Sequence, residues 1–164
     1  MPSPQVTTRR ATEADVPHIL RFIRALAEYE KLEHQMVATE EGLRHHLFGP
    51  HPAAEAMIGA IDTQPVGYAL FFTTFSTFLA KPSIWLEDLF VLPDHRSRGV
   101  GRALLRAVAD IAIERDCGRL EWSVLDWNQP AIDFYHRAGA KILNDWRICR
   151  VTGEALQKMG ASHA

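Results

Sequence analysis

The sequence predicts an α/β domain built on a mixed central sheet flanked by helices. Three observations carry that expectation. Strand-like segments interleave with segments whose apolar residues recur every three or four positions. Three strand-like segments follow one another in mid-chain, which suits antiparallel pairing, while the later ones are separated by helices, which suits parallel pairing. A chain of 164 residues, 47% of them hydrophobic, fills one core of ordinary size. The expected domain is therefore single, residues 1–164, with its core over 5–152.

The stretch VTTRRA alternates and predicts a first strand. TEADVPHILRFIRALAEYE predicts a helix with Thr12 as cap and Asp15 in the position of a capping box. Val16, Ile19, Leu20, Ile23, Leu26 and Ala27 form its buried stripe, and Pro17 stands in the first turn, where a missing N–H costs least. TEEGLRHHLFG is a shorter helix, with Thr39 as cap and Gly49 as stop. AAEAMIGAID, VGYALFFTTF and SIWLEDLFVL then read as strands, the first pair joined by a turn over DTQPVG that Pro65 and Gly67 punctuate.

A helix follows from Gly99 to Asp116, with Leu104, Leu105, Val108, Ile111 and Ala112 on one face and Gly118 at a positive-φ C-terminus. RLEWSVLD reads as a strand. QPAIDFYHRAG reads as a short helix with Asn128 as cap, Pro130 in its first turn and Gly139 as terminator. AKILNDWRICRVT reads as one more strand or a bent pair, and GEALQKM as a terminal helix. The order is βααβββαβαβ, then that helix.

Composition excludes several classes. A net charge of −2 gives no basic field for nucleic acid. The start, MPSPQVTTRR, has no apolar stretch of the kind that directs secretion. No apolar run approaches the ~18 residues of a membrane span. Cys117 and Cys149 lack motif spacing and read as free thiols in a reducing, cytoplasmic setting.

Chemistry concentrates in VLPDHRSRGVGRAL. An apolar strand ends, Pro93 and Asp94 break it, and Gly99 to Arg102 open a helix. A helix N-terminus offers unpaired N–H groups and a partial positive charge. Glycines let those donors approach a phosphate without a Cβ in the way, and Arg96, Arg98 and Arg102 add charge. There is no G-x-x-x-x-G-K-[ST], and Leu104 stands where a G-x-G-x-x-G would need its third glycine. The plain alternative is a solvated turn ahead of a helix.

IWLEDLFV is the second anomaly. Strict alternation sends Trp85, Glu87, Leu89 and Val91 to one face and Leu86, Asp88 and Phe90 to the other, so each face carries a carboxylate. Either one is solvated and the other pairs with an arginine, or a carboxylate is held in a cleft to bind or deprotonate an amine. The third anomaly is WNQPAIDFYHRAGA, where a tyrosine on a short helix follows a Trp-Asn at a strand end. Phe134 and Tyr135 also read simply as core aromatics.

Together these residues resemble the GNAT superfamily of N-acetyltransferases. Its acetyl-CoA signature, R/Q-x-x-G-x-G/A between a strand and a helix, fits Arg96-Ser97-Arg98-Gly99-Val100-Gly101 at each specified position. Within the superfamily the chain resembles the spermidine/spermine (diamine) and thialysine group. That likeness rests on RRATEADVPHILRFIRALAEYEKLE, WLEDLFVLPDHRSRGVGRALL and WNQPAIDFYHRAGA, and it covers nearly the whole chain in order.

The resemblance implies that the diphosphate of coenzyme A lies on the amides of Ser97, Arg98, Gly99, Val100, Gly101 and Arg102, with Arg96 adding charge. It implies a splayed parallel strand pair, in which Leu89, Phe90 and Val91 receive the pantetheine arm like an added strand. Asn128, Pro130 and Ala131 would line the arm's other side. Glu87 would bind the amine and accept its proton, and Tyr135 would donate to the departing sulfur. Tyr29, Glu30, Glu121 and Trp122 match acceptor-contacting positions, and a homodimer is implied.

The reaction so implied is direct attack in a ternary complex. An alkylamine with a pKa of about 10.4 is deprotonated in only about one molecule in a thousand at neutral pH, so a base is needed. No metal is implied, and His45-His46 reads as a helix-surface pair. Ser76, Thr77 and Phe78 replace the Asp-Pro-Trp of the polyamine enzymes, and KILNDW is shorter than its counterpart. These departures remove acidic contacts, so within the implied class of diamines, polyamines and basic amino acids a shorter acceptor such as thialysine, ornithine, lysine or a small diamine fits at least as well as spermidine or spermine. The competing readings are a protein or peptide N-acetyltransferase of the same fold and a non-catalytic acyl-CoA sensor.

Overall fold

The structure, a computed structural model, describes residues 5–161. The chain divides into two compact units, residues 1–123 and 124–164.

In the first unit, β1 (Val6–Arg10), β2 (Glu55–Ile61), β3 (Gln64–Ser76), β4 (Lys81–Val91) and β5 (Leu120–Glu121) form a sheet in the order β1-β2-β3-β4-β5. The first three pairings are antiparallel and β4 pairs β5 in parallel, so the sheet is mixed as expected. Helices α1 (Val16–Glu30) and α2 (Glu40–Phe48) precede β2, and α3 (Val100–Glu114) follows β4.

Neighbouring residues of β2 show how the layers stack. Ile58 is buried in one cluster with Ile19 and Phe22 of α1 and Leu47 of α2. A Cβ on the next residue, Gly59, would come within 2.7 Å of Val100 and 3.0 Å of Leu104 on α3. Successive strand residues point to opposite faces, so α1 and α2 cover one face and α3 the other. The glycine permits that close approach of helix to sheet.

The apolar stripes set these helices. Leu104, Leu105, Val108, Ile111 and Ala112 of α3 are all buried, as their spacing predicts. On α1 the buried set is Val16, Ile19, Leu20 and Phe22, with Ile23 and Leu26 packed at its margin. Phe22 was not on the predicted stripe, yet it is fully buried and stacks 5.7 Å from Tyr68. The expected capping box between Thr12 and Asp15 is present, the Asp15 carboxylate accepting from the Thr12 N–H at 2.8 Å. A short 3-10 turn, Glu13–Asp15, precedes the helix proper. Thr39 caps α2 through the Gly42 N–H at 3.1 Å.

Several expectations need correction. The β2–β3 turn is the pair Asp62 and Thr63, with Asp62 at φ 56. Pro65 and Gly67 lie within β3, the proline beside a bulge opposite Gly59 and Ala60, where a missing donor is tolerated. After α3 the left-handed residue is Asp116 at φ 52, not Gly118, whose own N–H instead bonds Pro82 O at 2.8 Å.

The second unit contains α4 (Gln129–Arg137) and α5 (Gly153–Ala161). Asn128 caps α4 by accepting from the Ala131 N–H at 3.4 Å, and Gly139, at φ 92, ends it. The strand expected over 119–126 shortens to Leu120–Glu121, and no strand forms over 140–152 among the described residues. A strand is stabilised by its cross-strand neighbours, and here Leu143, Trp146 and Ile148 remain exposed without a ladder.

Candidate functional site

The site begins at a break in the sheet. The β4–β5 ladder holds only the pairs Ile84–Leu120 and Trp85–Glu121. Beyond Trp85, β4 keeps β3 on one side and has no paired strand on the other among the described residues. The Leu92 N–H bonds Val66 O on the β3 side at 2.9 Å. The strand period of two therefore turns the backbone groups of Leu89 and Val91 toward the open edge.

A bulge changes the faces that alternation predicts for this strand. Leu70 pairs with Asp88 while its neighbour Phe71 pairs with Leu86, so Glu87 is the extra residue. Directly paired residues share a face, and Leu70 and Phe71 point oppositely. Leu86 and Asp88 therefore lie on opposite faces, contrary to the simple reading. Leu86 is buried, while Asp88 joins the α1 face with Phe90.

Glu87 is exposed and accepts from Trp85 Nε1 at 2.9 Å. Asp88 has no arginine partner among the hydrogen bonds and ion pairs described; it accepts from the Tyr68 hydroxyl at 2.7 Å. Burial raises the Asp88 pKa, and the Glu87 charge raises it further, against the opposing pull of the Tyr68 hydrogen bond. Burial and the Asp88 charge raise that of Glu30 at the end of α1. Burial first, then these carboxylates, hold the Tyr68 phenol well above its ordinary value.

Glu30, Glu87 and Asp88 thus form one electrostatic group, with Tyr29 beside Glu30. Alternation alone put Asp88 on the face of Leu86 and gave no role to Tyr68. The readable signal was a tyrosine inside an apolar strand, since a buried phenol needs a partner. Glu121 forms an ion pair with Arg119 at 2.9 Å, and Trp122 follows it, half-buried.

At the end of β4 a 3-10 turn, Pro93–His95, leads into the glycine loop. Ser97 (φ 59) and Gly99 (φ 88) are left-handed on either side of Arg98, and Val100 starts α3. The first intrahelical acceptor is Gly99 O, bonded by Ala103 N–H at 3.0 Å, so Val100, Gly101 and Arg102 aim donors out of the helix end. A Cβ built on Gly99 meets nothing within 4 Å. Open space, a left-handed loop and a 15-residue helix fit an anionic diphosphate.

Arg98 and Arg102 are exposed there. The Arg96 side chain turns back, its Nε donating to Val91 O at 3.0 Å and its guanidinium lying 4.6 Å from the Tyr29 ring. In the second unit, Asn128 is buried at the start of α4, Pro130 and Ala131 follow in its first turn, and Tyr135 is half-buried with its ring 5.3 Å from Phe134.

Residues 20–140 match the acetyltransferase (GNAT) family model. A thialysine N-epsilon-acetyltransferase of Bos taurus is 38% identical, the match covering 94% of this chain and 96% of the relative. The chain belongs to the GNAT family. An L-ornithine N5-acetyltransferase of Arabidopsis thaliana is 34% identical over 91% of this chain and 85% of its own. Among solved structures, an integron cassette protein from the mobile metagenome of V. cholerae shares the fold at a TM-score of 0.80 and 24% identity, covering 98% of this chain and all of that one.

As a GNAT acyltransferase the chain uses acetyl-CoA, and the glycine loop is the part of this structure that fits the cofactor's diphosphate. No three His, Cys, Asp or Glu side chains gather as a metal site among the described residues. No helix among them is long and apolar enough to cross a membrane.

Proposed function

We propose that this GNAT protein acetylates a primary amine of a small cationic acceptor, by direct attack in a ternary complex. The acceptor class is thialysine, ornithine, a lysine-like amino acid or a short diamine. The observation that carries the reading is the carboxylate group of Glu30, Glu87 and Asp88 gathered at the bulge of the open-edged strand. An ammonium entering there finds charge-assisted acceptors. The thialysine- and ornithine-named relatives support the class. The turn at 77–80 offers no anionic group: Ser76 accepts from Leu79 N–H and Phe78 is 99% exposed. That favours a shorter acceptor over spermidine or spermine.

Acetyl-CoA supplies an activated acetyl thioester. In the proposal the amides of Ser97–Arg102, aided by the Arg98 and Arg102 charges, hold its diphosphate. Leu89, Phe90 and Val91 receive the pantetheine arm, and Asn128, Pro130 and Ala131 are the second unit's candidates for cofactor contact. The Leu89 N–H, turned to the open edge, polarises the thioester carbonyl. Glu87, fixed by Trp85 and open to solvent, accepts the ammonium proton, directly or through water. Tyr135 protonates the departing sulfur. Tyr29 and Glu30 bind the acceptor's far end, with Glu121 and Trp122 beside it.

The two units together make one N-acetyltransferase domain, a reading supported by a family match that runs across their boundary. The chain works as a cytoplasmic homodimer, so sedimentation should give twice its 18.5 kDa. The deciding experiment is a free-thiol release assay across polyamines, diamines, basic amino acids and peptides. Selective turnover of a short cationic amine supports the reading; preference for peptides, or no turnover, overturns it.

A further inference from the structure

We propose that Arg96 positions the acceptor side of the site instead of ligating the diphosphate, an inference that rests on the acetyltransferase reading above. Arg96 opens the glycine-loop motif, yet its side chain leaves the loop. Its Nε donates to Val91 O at 3.0 Å, on the open edge of β4. Its guanidinium carbon lies 4.6 Å from the Tyr29 centroid and 5.4 Å from that of Phe90. One planar cation thus contacts two rings and a strand carbonyl, a set of contacts that lysine's rounded ammonium reproduces poorly.

Tyr29 is the penultimate residue of α1, which ends at left-handed Lys31 (φ 60). Helix ends fray, and this one carries Tyr29 and Glu30. Arg96 pins it to the strand whose bulge presents Glu87 and Asp88. The acceptor carboxylates of two elements are thereby held in register by a residue of the cofactor loop. Arg98 and Arg102, exposed beside the helix N-terminus, are left as the loop's cations for the diphosphate.

The test measures amine KM, kcat and the acetyl-CoA Kd separately for Arg96→Leu, Arg96→Lys and Arg98→Leu. Arg96→Leu should raise amine KM about tenfold with the acetyl-CoA Kd within about twofold of wild type. Arg98→Leu should weaken acetyl-CoA instead. Arg96→Lys should recover only part of the amine KM. A double-mutant cycle adds the contact itself: the Arg96→Leu effect should persist in Tyr29→Phe, which keeps the ring, and vanish in Tyr29→Leu.

Equal loss of acetyl-CoA and amine affinity in Arg96→Leu, or an unchanged amine KM, would overturn the proposal. Should Arg96→Leu fail to fold, Arg96→Lys and the Tyr29 pair give the same readings. Failure of the underlying function appears separately, as a wild-type chain that neither binds acetyl-CoA nor acetylates any amine.

Discussion

Replacing Tyr68 by phenylalanine removes one oxygen from a fully buried side chain and leaves the packing against Phe22 intact. The lost group is the donor to Asp88 at 2.7 Å. A hydrogen bond to a charged acceptor contributes about 1.5–3 kcal/mol, so about 2 kcal/mol of stability should go at neutral pH. For a chain of this size that is a fall in Tm of roughly 4–8 °C.

The pH dependence follows from the sign of the Asp88 shift. Its folded pKa is raised above the ordinary 3.8, first by burial, so between the two values the folded chain binds more protons than the unfolded one. Its contribution is most favourable below that window and declines as pH rises through it. The Tyr68 hydrogen bond opposes the rise by favouring the carboxylate. Tyr68→Phe should push the folded value higher, so the stability difference should grow with pH and be smallest under acidic conditions. Urea melts of both proteins across pH 4–9 read this directly. A pH-independent loss, or none, would refute a charged Asp88 held by the phenol.

Other outcomes follow from the same geometry. Tyr135→Phe should lower kcat about a hundredfold with acetyl-CoA affinity retained, as stopped-flow and calorimetry would show; an unchanged kcat removes the acid role. Glu87→Gln keeps an acceptor for Trp85 Nε1 and should reduce kcat/KM for the amine by about a hundredfold with little change in acetyl-CoA binding. Asp15 is held at about 2 chiefly by its Arg9 hydrogen bonds, below the ordinary 3.8. Asp15→Asn should therefore cost about 2 kcal/mol at neutral pH, a contribution present above the unfolded value and lost as pH falls through about 2.

The sequence made some features legible because their causes are local. The α3 stripe, the Thr39 and Asn128 caps and the Gly139 stop depend on residues within a turn or two. The Gly99 loop was readable for the same reason: its φ of 88 suits a residue without Cβ. Other features depend on partners distant in the chain. Nothing in IWLEDLFV marks Glu87 as the bulged residue; that follows from register with Leu70 and Phe71. Likewise Asp62 takes the turn because it can adopt left-handed backbone, leaving Pro65 and Gly67 in the strand. Residues 140–152 have strand-like composition without a ladder among the described residues.

Calorimetric titration with acetyl-CoA, run beside S-acetylpantetheine, which has no diphosphate, probes the glycine loop most directly. Main-chain donors gripping that group predict saturable uptake of acetyl-CoA and binding roughly a hundredfold weaker for the truncated thioester. Equal affinity for both, or no uptake of acetyl-CoA, would contradict the role assigned to Ser97–Arg102.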